Sequence, residues 1–324
     1  MINTPKISVV MPVYNAAPYL KESVESILNQ TFSDFEFIII DDCSTDNSYN
    51  LLQTYAKKDL RVKLFRNEKN EGLPKTLNLG VSLSSGEYIA RMDADDISLP
   101  VRLLKQLAFM EKNPTIAMCG SWYAVCDQNL NKKYFIRTLP CESEVIKIYL
   151  HLLYNPFGHN TVMIRKDVFS TLQYADSMRD NAEDYDLWLR MIDAGYELAN
   201  IPEVFVRYRT SIQSSSQIFQ DSIGRTIRDI HKKYLSRLFG QAFNKELLEN
   251  HEELIYKSKT LYFFLKNIGR YKKHLTLLKQ ANDKNKVYPP RIFNEVIEQL
   301  SIRNKVFNKL KKFLRTMMFA FKCG

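Results

Sequence analysis

Long apolar runs, paired cysteines and glycine-rich turns are all scarce in this sequence, and each scarcity removes a class of protein. The longest apolar stretches, such as "FEFIII" and "LYFFL", fall far short of the ~18 to 20 residues that span a bilayer, so no transmembrane helix is expected. The start, "MINTPKISVVMPVYNAA", has no charged segment followed by a long apolar one, and Pro12 interrupts its apolar core, so the chain reads as cytoplasmic. Five cysteines (Cys43, Cys119, Cys126, Cys141, Cys323) form an odd set without C-x-x-C spacing. That argues against a disulfide framework and a zinc site, and for reduced, mostly buried thiols. The closing "KCG" is no prenylation box, because one residue follows the cysteine. No G-x-G-x-x-G follows the first strand-like segment, which makes a dinucleotide-dependent dehydrogenase a poor match.

What is present suits a folded protein. With 45% hydrophobic and 25% charged residues and no low-complexity tract, there is apolar material for a sizeable core. At 324 residues the chain exceeds what one core usually serves. A main domain of roughly 200 to 250 residues with an appendage is therefore expected. The net charge of +10 is unevenly spread: about 23 of the 46 basic residues, but only about 8 of the 36 acidic ones, lie after Gly224. Such an imbalance signals an anionic partner. Nucleic acid is a poor candidate for it, because the positive charge sits in a helical appendage with no recognised reader motif or aromatic stacking platform.

From Lys6 onward, strand-like and helix-like segments alternate. "ISVVMPVY", "FEFIIIDD", "RVKLFRN" and "EYIARMDADD" read as strands, separated by "YLKESVESILNQT", "SYNLLQTYAKK" and "PKTLNLGVSLS" with helical spacing. Pro100 then opens the helix "PVRLLKQLAFMEKN" at a favourable first-turn position. This order predicts an α/β fold with a mostly parallel, right-handed wound central sheet flanked by helices. Ligands of such sheets sit beyond the carboxyl ends of the strands, and three features share that rim: "VYNAA", "IIIDDCSTDNS" and "RMDADD". Between Thr115 and Arg209 the pattern is mixed, with strands over "IAMCGSWYAVCD", "HNTVMIRKDVF" and "IPEVFVRYR" and helices over "SEVIKIYLHLLY" and "EDYDLWLRMIDAG". The serine run "SIQSSSQ" marks a boundary, which divides the chain into a main α/β domain at 1–211 and a basic helical region at 212–324.

Three acidic groups carry the chemistry. Asp93, Asp95 and Asp96 crowd three carboxylates into four positions, where they raise one another's pKa unless a cation or solvent relieves them. Carboxylate oxygens suit a hard divalent cation, Mn²⁺ or Mg²⁺, with positions left for the oxygens of a diphosphate. Solvated turn aspartates are the plain alternative. Asp41 and Asp42 close an apolar strand, where a carboxylate can accept a hydrogen from a base or ribose, or simply favour the following helix N-terminus. Glu183, Asp184 and Asp186 stand in the first turn of an amphipathic helix, either compensating its dipole or offering a general base to an acceptor hydroxyl.

Taken together and in order, "ISVVMPVYNAAPYLKESVESILNQTFSDFEFIIIDDCSTDNS", "NEGLPKTLNLG", "GEYIARMDADDISLPVRLLKQ" and "AEDYDLWLRM" resemble the family 2 glycosyltransferases of bacterial surface-polysaccharide synthesis, over roughly Lys6 to Arg209. The resemblance implies the GT-A fold, Rossmann-like, and a nucleoside-diphosphate sugar donor, a UDP-sugar first. It places Pro12, Tyr14 and Asp42 on the nucleoside and Lys75 near the diphosphate. It puts Asp93 and Asp95 on ribose and metal, with Asp96 adjacent as a third metal ligand. Asp184 becomes the base that deprotonates a hydroxyl of a glycan acceptor, lipid-linked or free, with Glu183 supporting it, and a single displacement implies inversion. "NPFGHNTVMIRK" resembles a segment near the acceptor side, which brings His159 into view. One departure is "DDCS" where the family commonly has "DDGS", so Cys43 must take a conformation that glycine finds easier.

Two rivals stay open. A metal-dependent phosphohydrolase would use D-x-D-D but leave "VYNAAPYL" and the Glu183–Asp184 helix without a task. A non-catalytic nucleotide-sugar-binding scaffold would recruit partners at a membrane. For the latter association, "NKVFNKLKKFLRTMMFAFK" places Val306, Leu310, Phe313, Leu314, Met317 and Phe321 on one helical face with lysines and Arg315 around the rest. That layout suits either an anionic membrane surface, at the inner face of the cell membrane, or docking on the domain.

Overall fold

The computed structural model describes residues 4–178, 182–210, 220–256 and 268–300. The serine run and the apolar stripe from Val306 to Phe321 lie outside the described residues. The chain divides into two compact units, one of Met1–Ile146 with Asn155–Gly224 and the other of Lys147–Tyr154 with Arg225–Gly324.

In the first unit, β1 (Ile7–Val13), β2 (Phe35–Asp41), β3 (Val62–Arg66) and β4 (Tyr88–Arg91) lie parallel in the order β3-β2-β1-β4. Helices α1 (Leu20–Leu28), α2 (Ser48–Lys58) and α3 (Leu73–Leu83) make the crossovers, and α4 (Arg102–Lys112) follows β4. Every residue of β2 and all but one of β1 are buried, as expected of parallel strands covered on both faces. Val9, Met11, Phe37 and Ile39 pack with Leu20, Val24, Ile27, Leu103 and Leu107 from α1 and α4. On the opposite face α3 comes very close. A Cβ on Gly80 would lie 2.5 Å from Val10 Cγ1 and 2.8 Å from Ile40 Cδ1, so only glycine allows that approach.

The sheet continues through β8 (Met163–Arg165), β6 (Ile116–Cys126), β9 (Glu197–Arg209) and β5 (Ile97–Ser98), with β7 (Lys133–Arg137) beside β6. Of these, β8, β5 and β7 run antiparallel to their neighbours, while β6 and β9 are parallel. Helix α6 (Glu183–Asp193) completes the elements, and α5 (Ser143–Leu152) has its first four residues in this unit and the rest in the second. Three differences from the sequence expectation stand out. β4 stops at Arg91, with the aspartates in the turn beyond. Only Met163–Arg165 of "HNTVMIRKDVF" is strand, because 3₁₀ turns at His159–Thr161 and Lys166–Ser170 flank it. The short strands β5 and β7 are additional.

β1 shows how the sheet opens into a rim. Its pairing with β4 ends at Val10 opposite Arg91, while its pairing with β2 runs on to Val13. Pro12, which has no N–H to give a ladder, therefore stands where one neighbour has already ended.

Helices Gln220–Phe239, Lys245–Tyr256 and Ile268–Asn285, with a further helix at 290–300, form the second unit. Leu235, Leu238, Leu248, Leu275, Leu278, Phe293 and Val296 are among its buried residues. No described helix is long and apolar enough to cross a membrane. Four of the chain's five histidines sit in this unit and are buried. His251 Nε2 donates to the Leu152 carbonyl and His231 is hydrogen-bonded to the backbone of Leu153, so both serve carbonyls that the end of α5 leaves without helical partners. Because a carbonyl only accepts, His251 carries its proton on Nε2. Its Nδ1 then accepts from His274 Nε2 at 3.1 Å, which fixes neutral tautomers along the chain.

Burial holds these imidazoles neutral: His231 titrates well below the usual range, His251 at about 4 and His274 at about 3. The unfolded chain, with histidines near 6.5, takes up protons first. Stability is therefore complete above about pH 6.5 and falls as pH drops toward 4, by up to about 1.4 kcal/mol per unit for each histidine. Hydrogen exchange followed from pH 7 to pH 4.5 should show the helices around His231, His251 and His274 losing protection steeply. Flat protection across that range would mean that the imidazoles are not buried neutral.

Candidate active site

The rim beyond β1, β2 and β4 is knitted by short polar side chains. Asn15, in the left-handed region at φ 51°, accepts from the Thr45 and Asp46 amides through Oδ1, while its own amide donates to Ser44 Oγ at 3.0 Å. Ala16 N donates to Ser48 Oγ and Ala17 N to Asp46 Oδ2. The loops after β1 and β2 thus form one surface. Cys43 has φ 60°, the glycine-like conformation expected from the sequence. Tyr14 projects from this surface and is 51% exposed, beside the partly buried Pro12.

Asp42 is buried and its carboxylate is heavily used. Oδ1 accepts from Asn67 Nδ2 at 2.7 Å and from Glu71 N at 2.8 Å, and Oδ2 accepts from Gly72 N at 2.9 Å. These bonds fasten the loop that enters α3 through Gly72, whose φ is 88°. Lys75, in the first turn of α3, is exposed, with Nζ 3.4 Å from Glu71 Oε2.

Asp93, Asp95 and Asp96 bring one carboxylate oxygen each to within 4.8 Å of one another. Asp93 pairs with the buried Arg91. Asp95 is pushed up to about 6 by burial and by the Asp93 charge, and Asp96 is raised further by burial and both neighbours. Asp96 is fully buried, with Oδ2 accepting from Asn160 Nδ2 and Oδ1 from Arg209 N at 2.7 Å. The Arg209 guanidinium donates to Asp95 O at 2.6 Å, to Gln128 O and to Glu22 Oε2 at 2.7 Å. From below, the buried Arg102 donates to Arg91 O at 2.7 Å and to Gln106 Oε1 at 2.9 Å. The aspartate turn is therefore held at its start, its end and its underside.

α6 begins after Ala182, at φ 53°, and presents the second acidic pair. Asp184 Oδ2 accepts from Asn155 Nδ2 at 2.7 Å. Asn155 Oδ1 accepts from Phe157 N at 3.2 Å, and since an N–H only donates, this fixes which end of the amide faces Asp184. Burial raises the Asp184 pKa, Glu183 beside it adds to the rise, and His159 opposes it. Glu183 differs. Burial would raise it, but His159 Nδ1, 3.4 Å from Oε1, holds it below the usual carboxylate range. The other ring nitrogen of His159 lies 3.0 Å from Tyr174 Oη, so both nitrogens have partners inside the protein.

Consecutive residues thus tie the two acidic groups together: His159 to Glu183 and Asn160 to Asp96. Arg91 is paired with Asp93 and also interacts electrostatically with Glu183. Sequence reasoning singled out the acids but missed Arg91, Arg102, Gln106, Asn155, Asn160 and Arg209. Arg102 and Gln106 did leave a signal, as polar residues on the same inner face of α4 as Leu103 and Leu107.

The donor set at Asp93, Asp95 and Asp96 fits a hard divalent cation, because its oxygens converge and their mutual repulsion is relieved by positive charge. Asp42 has a different part, and Asp42→Ala leaves two backbone N–H groups without their charged acceptor. Chemical denaturation should show a loss of about 2 kcal/mol or more, whereas a change under about 0.5 kcal/mol would mean the Glu71–Gly72 loop does not depend on it.

Residues 8–172 match the family model described as glycosyl transferase family 2. The chain is 36% identical over 238 residues to the O-antigen biosynthesis glycosyltransferase WbnJ of Escherichia coli, covering 70% of this chain and 89% of that one. It is 34% identical over 205 residues to the amylovoran biosynthesis glycosyltransferase AmsE of Erwinia amylovora, covering 62% and 75%. Among solved structures, S. aureus TarS 1-349 in complex with UDP-GlcNAc superposes with a TM-score of 0.58 at 18% identity, covering 89% of this chain and 82% of that one. The Pyrobaculum calidifontis mannosyltransferase PcManGT, in complex with GDP-Man and Mn2+, gives 0.52 at 15%, covering 94% and 88%. At such identities the structural likeness speaks for the fold. The chain belongs to glycosyl transferase family 2 and is a glycosyltransferase of the GT-A fold.

Proposed function

We propose that this glycosyltransferase is inverting and divalent-metal-dependent. It moves a sugar from a nucleoside diphosphate, a UDP-sugar first, to a hydroxyl of a lipid-linked glycan acceptor in the assembly of a surface polysaccharide such as a capsule or O-antigen. It works in the cytoplasm, at the inner face of the cell membrane. The observation that carries this reading is the gathering of two acidic groups with different environments at one rim, tied by His159 and Asn160. WbnJ and AmsE, named for O-antigen and amylovoran biosynthesis, support the polysaccharide setting. UDP-GlcNAc in the TarS complex, and GDP-Man with Mn2+ in the PcManGT complex, support a nucleotide-sugar donor and a divalent cation.

In this reading Asp93 and Asp95 hold ribose and metal, with Asp96 as the third carboxylate behind them. A bound Mn²⁺ or Mg²⁺ supplies positive charge to the departing diphosphate. Pro12, Tyr14 and Asp42 border the nucleoside, Tyr14 offering an exposed ring and Asp42 the free lone pair of Oδ2. Lys75 reaches toward the diphosphate. Asp184 takes the proton of the acceptor hydroxyl as its oxygen attacks the anomeric carbon. One displacement suffices, so the configuration inverts. Asn155 fixes the orientation of that carboxylate, and His159 pairs with Glu183, so the two adjacent acids divide the work.

Release of nucleotide from a panel of UDP-, GDP- and dTDP-sugars with Mn²⁺ or Mg²⁺ tests the reading. One donor should turn over with metal only. Asp95→Ala and Asp184→Asn should each lower kcat about 10²-fold or more, and Asn155→Ala should lower kcat with little change in the donor KM. Turnover of simple phosphate esters, lost with Asp93 or Asp95 but kept in Asp184→Asn, would instead identify a phosphohydrolase.

A further inference from the structure

β7 is built unlike the other strands of its sheet. All five of its residues, Lys133–Arg137, are exposed, and among the described residues it pairs with β6 alone. Tyr134 is the extra residue of a bulge opposite β6, while Ile136 and Phe135 beside it are paired and point to opposite faces. They are 53%, 42% and 53% exposed respectively. An edge ribbon with apolar side chains on both faces is one that soluble proteins avoid unless something covers it.

Charge identifies the cover. Lys132, Lys133 and Arg137 flank the apolar triplet. The acid of this hairpin, Asp127, is turned inward to accept from Lys132 N at 3.0 Å, and the turn closes with Asp127 N donating to Lys132 O at 2.9 Å. Lys132 and Lys133 enter no ion pair with a described residue, and Lys132 Nζ stands 5.7 Å from the centre of the Tyr134 ring. A second copy of this chain pairing edge to edge would bring these cations against their own counterparts. A soluble polyanion would satisfy the cations but leave Phe135 and Ile136 in water. Aromatic and aliphatic side chains interleaved with lysine and arginine match an anionic bilayer surface, where the apolar groups reach the acyl boundary and the cations meet headgroup phosphates.

The root of the hairpin lies at the rim of the site. Arg209 donates to Gln128 O in the turn, and the same residue holds Asp96 through its backbone N and Asp95 O through its guanidinium. A surface bound through β7 is therefore joined by one arginine to the aspartate turn.

We propose that the 127–137 hairpin is a membrane-contact ribbon that seats the catalytic unit on anionic lipid, through Lys132, Lys133 and Arg137 at the headgroups and Tyr134, Phe135 and Ile136 at the acyl boundary. This contact is separate from the basic stretch after Ser301, and it needs no assumption about donor or acceptor.

The test uses the full chain carrying Phe135→Trp, with vesicles of phosphatidylcholine alone or mixed with phosphatidylserine, their acyl chains brominated. The indole introduced at position 135 should be quenched by the anionic vesicles, well beyond any change in the unsubstituted protein with Trp122 and Trp188, and should be unaffected by the neutral ones. Lys132→Gln with Lys133→Gln should lower the fraction cosedimenting with anionic vesicles by at least about tenfold, while the circular dichroism spectrum is unchanged. Vesicle binding without quenching would place the contact elsewhere on the chain and overturn the proposal. So would no binding at all, or a self-association in sedimentation equilibrium that abolishes quenching.

Discussion

Five carboxylates share one rim in this protein, and like charges that close together set the terms for everything around them. Asp93, Asp95 and Asp96 come from a single turn, and Glu183 and Asp184 from a single helix start. Burial makes each charge costlier. The protein answers with few cations and many oriented donors: Arg91 on Asp93, His159 on Glu183, Asn155 on Asp184, and Asn160 with the Arg209 amide on Asp96. Asp95 keeps the least help from its neighbours and titrates at about 6. In the proposed reading, positive charge from a bound cation would relieve that repulsion.

The parallel half of the sheet supplies the frame for that rim. β4 ends early, so the chain turns at Asp93 while β1 and β2 run on, and the three loop ends finish side by side. Arg102 and Gln106 reach from α4 into the underside of the turn. Arg102, fully buried, donates to Arg91 O, and Gln106 Nε2 donates to Thr161 O at 2.8 Å. One helix thus braces both the aspartate turn and the His159–Thr161 turn, the two segments that carry the acids and their partners. Loss of either polar residue leaves buried groups unsatisfied directly beneath the site.

Much of this was legible in the sequence because it rests on local rules. Near-continuous apolar runs gave the parallel strands, the acidic clusters marked the rim, and "DDCS" foretold the left-handed conformation of Cys43. What was not legible depends on long-range partners. Asn155 and Asn160 look like ordinary loop asparagines until the fold places them against Asp184 and Asp96. Arg209 reads as the end of an exposed strand, yet it is buried and holds two backbone segments and a carboxylate. β5 and β7 are too short or too polar at their ends to carry a period, and only pairing with β9 and β6 makes them strands. The four buried histidines of the helical unit gave no sequence signal at all, since their spacing matches no metal or catalytic pattern.

The central claim is that repulsion at Asp93, Asp95 and Asp96 is resolved by a divalent cation shared with a nucleoside diphosphate. Electron paramagnetic resonance of Mn²⁺, titrated into the full chain with and without UDP, measures this directly through the signal of free Mn²⁺. The account predicts that one equivalent of Mn²⁺ is taken up much more tightly with UDP present, and that Asp95→Ala abolishes the uptake. Equal free Mn²⁺ for the unsubstituted protein and Asp95→Ala, in the presence of UDP, would contradict it.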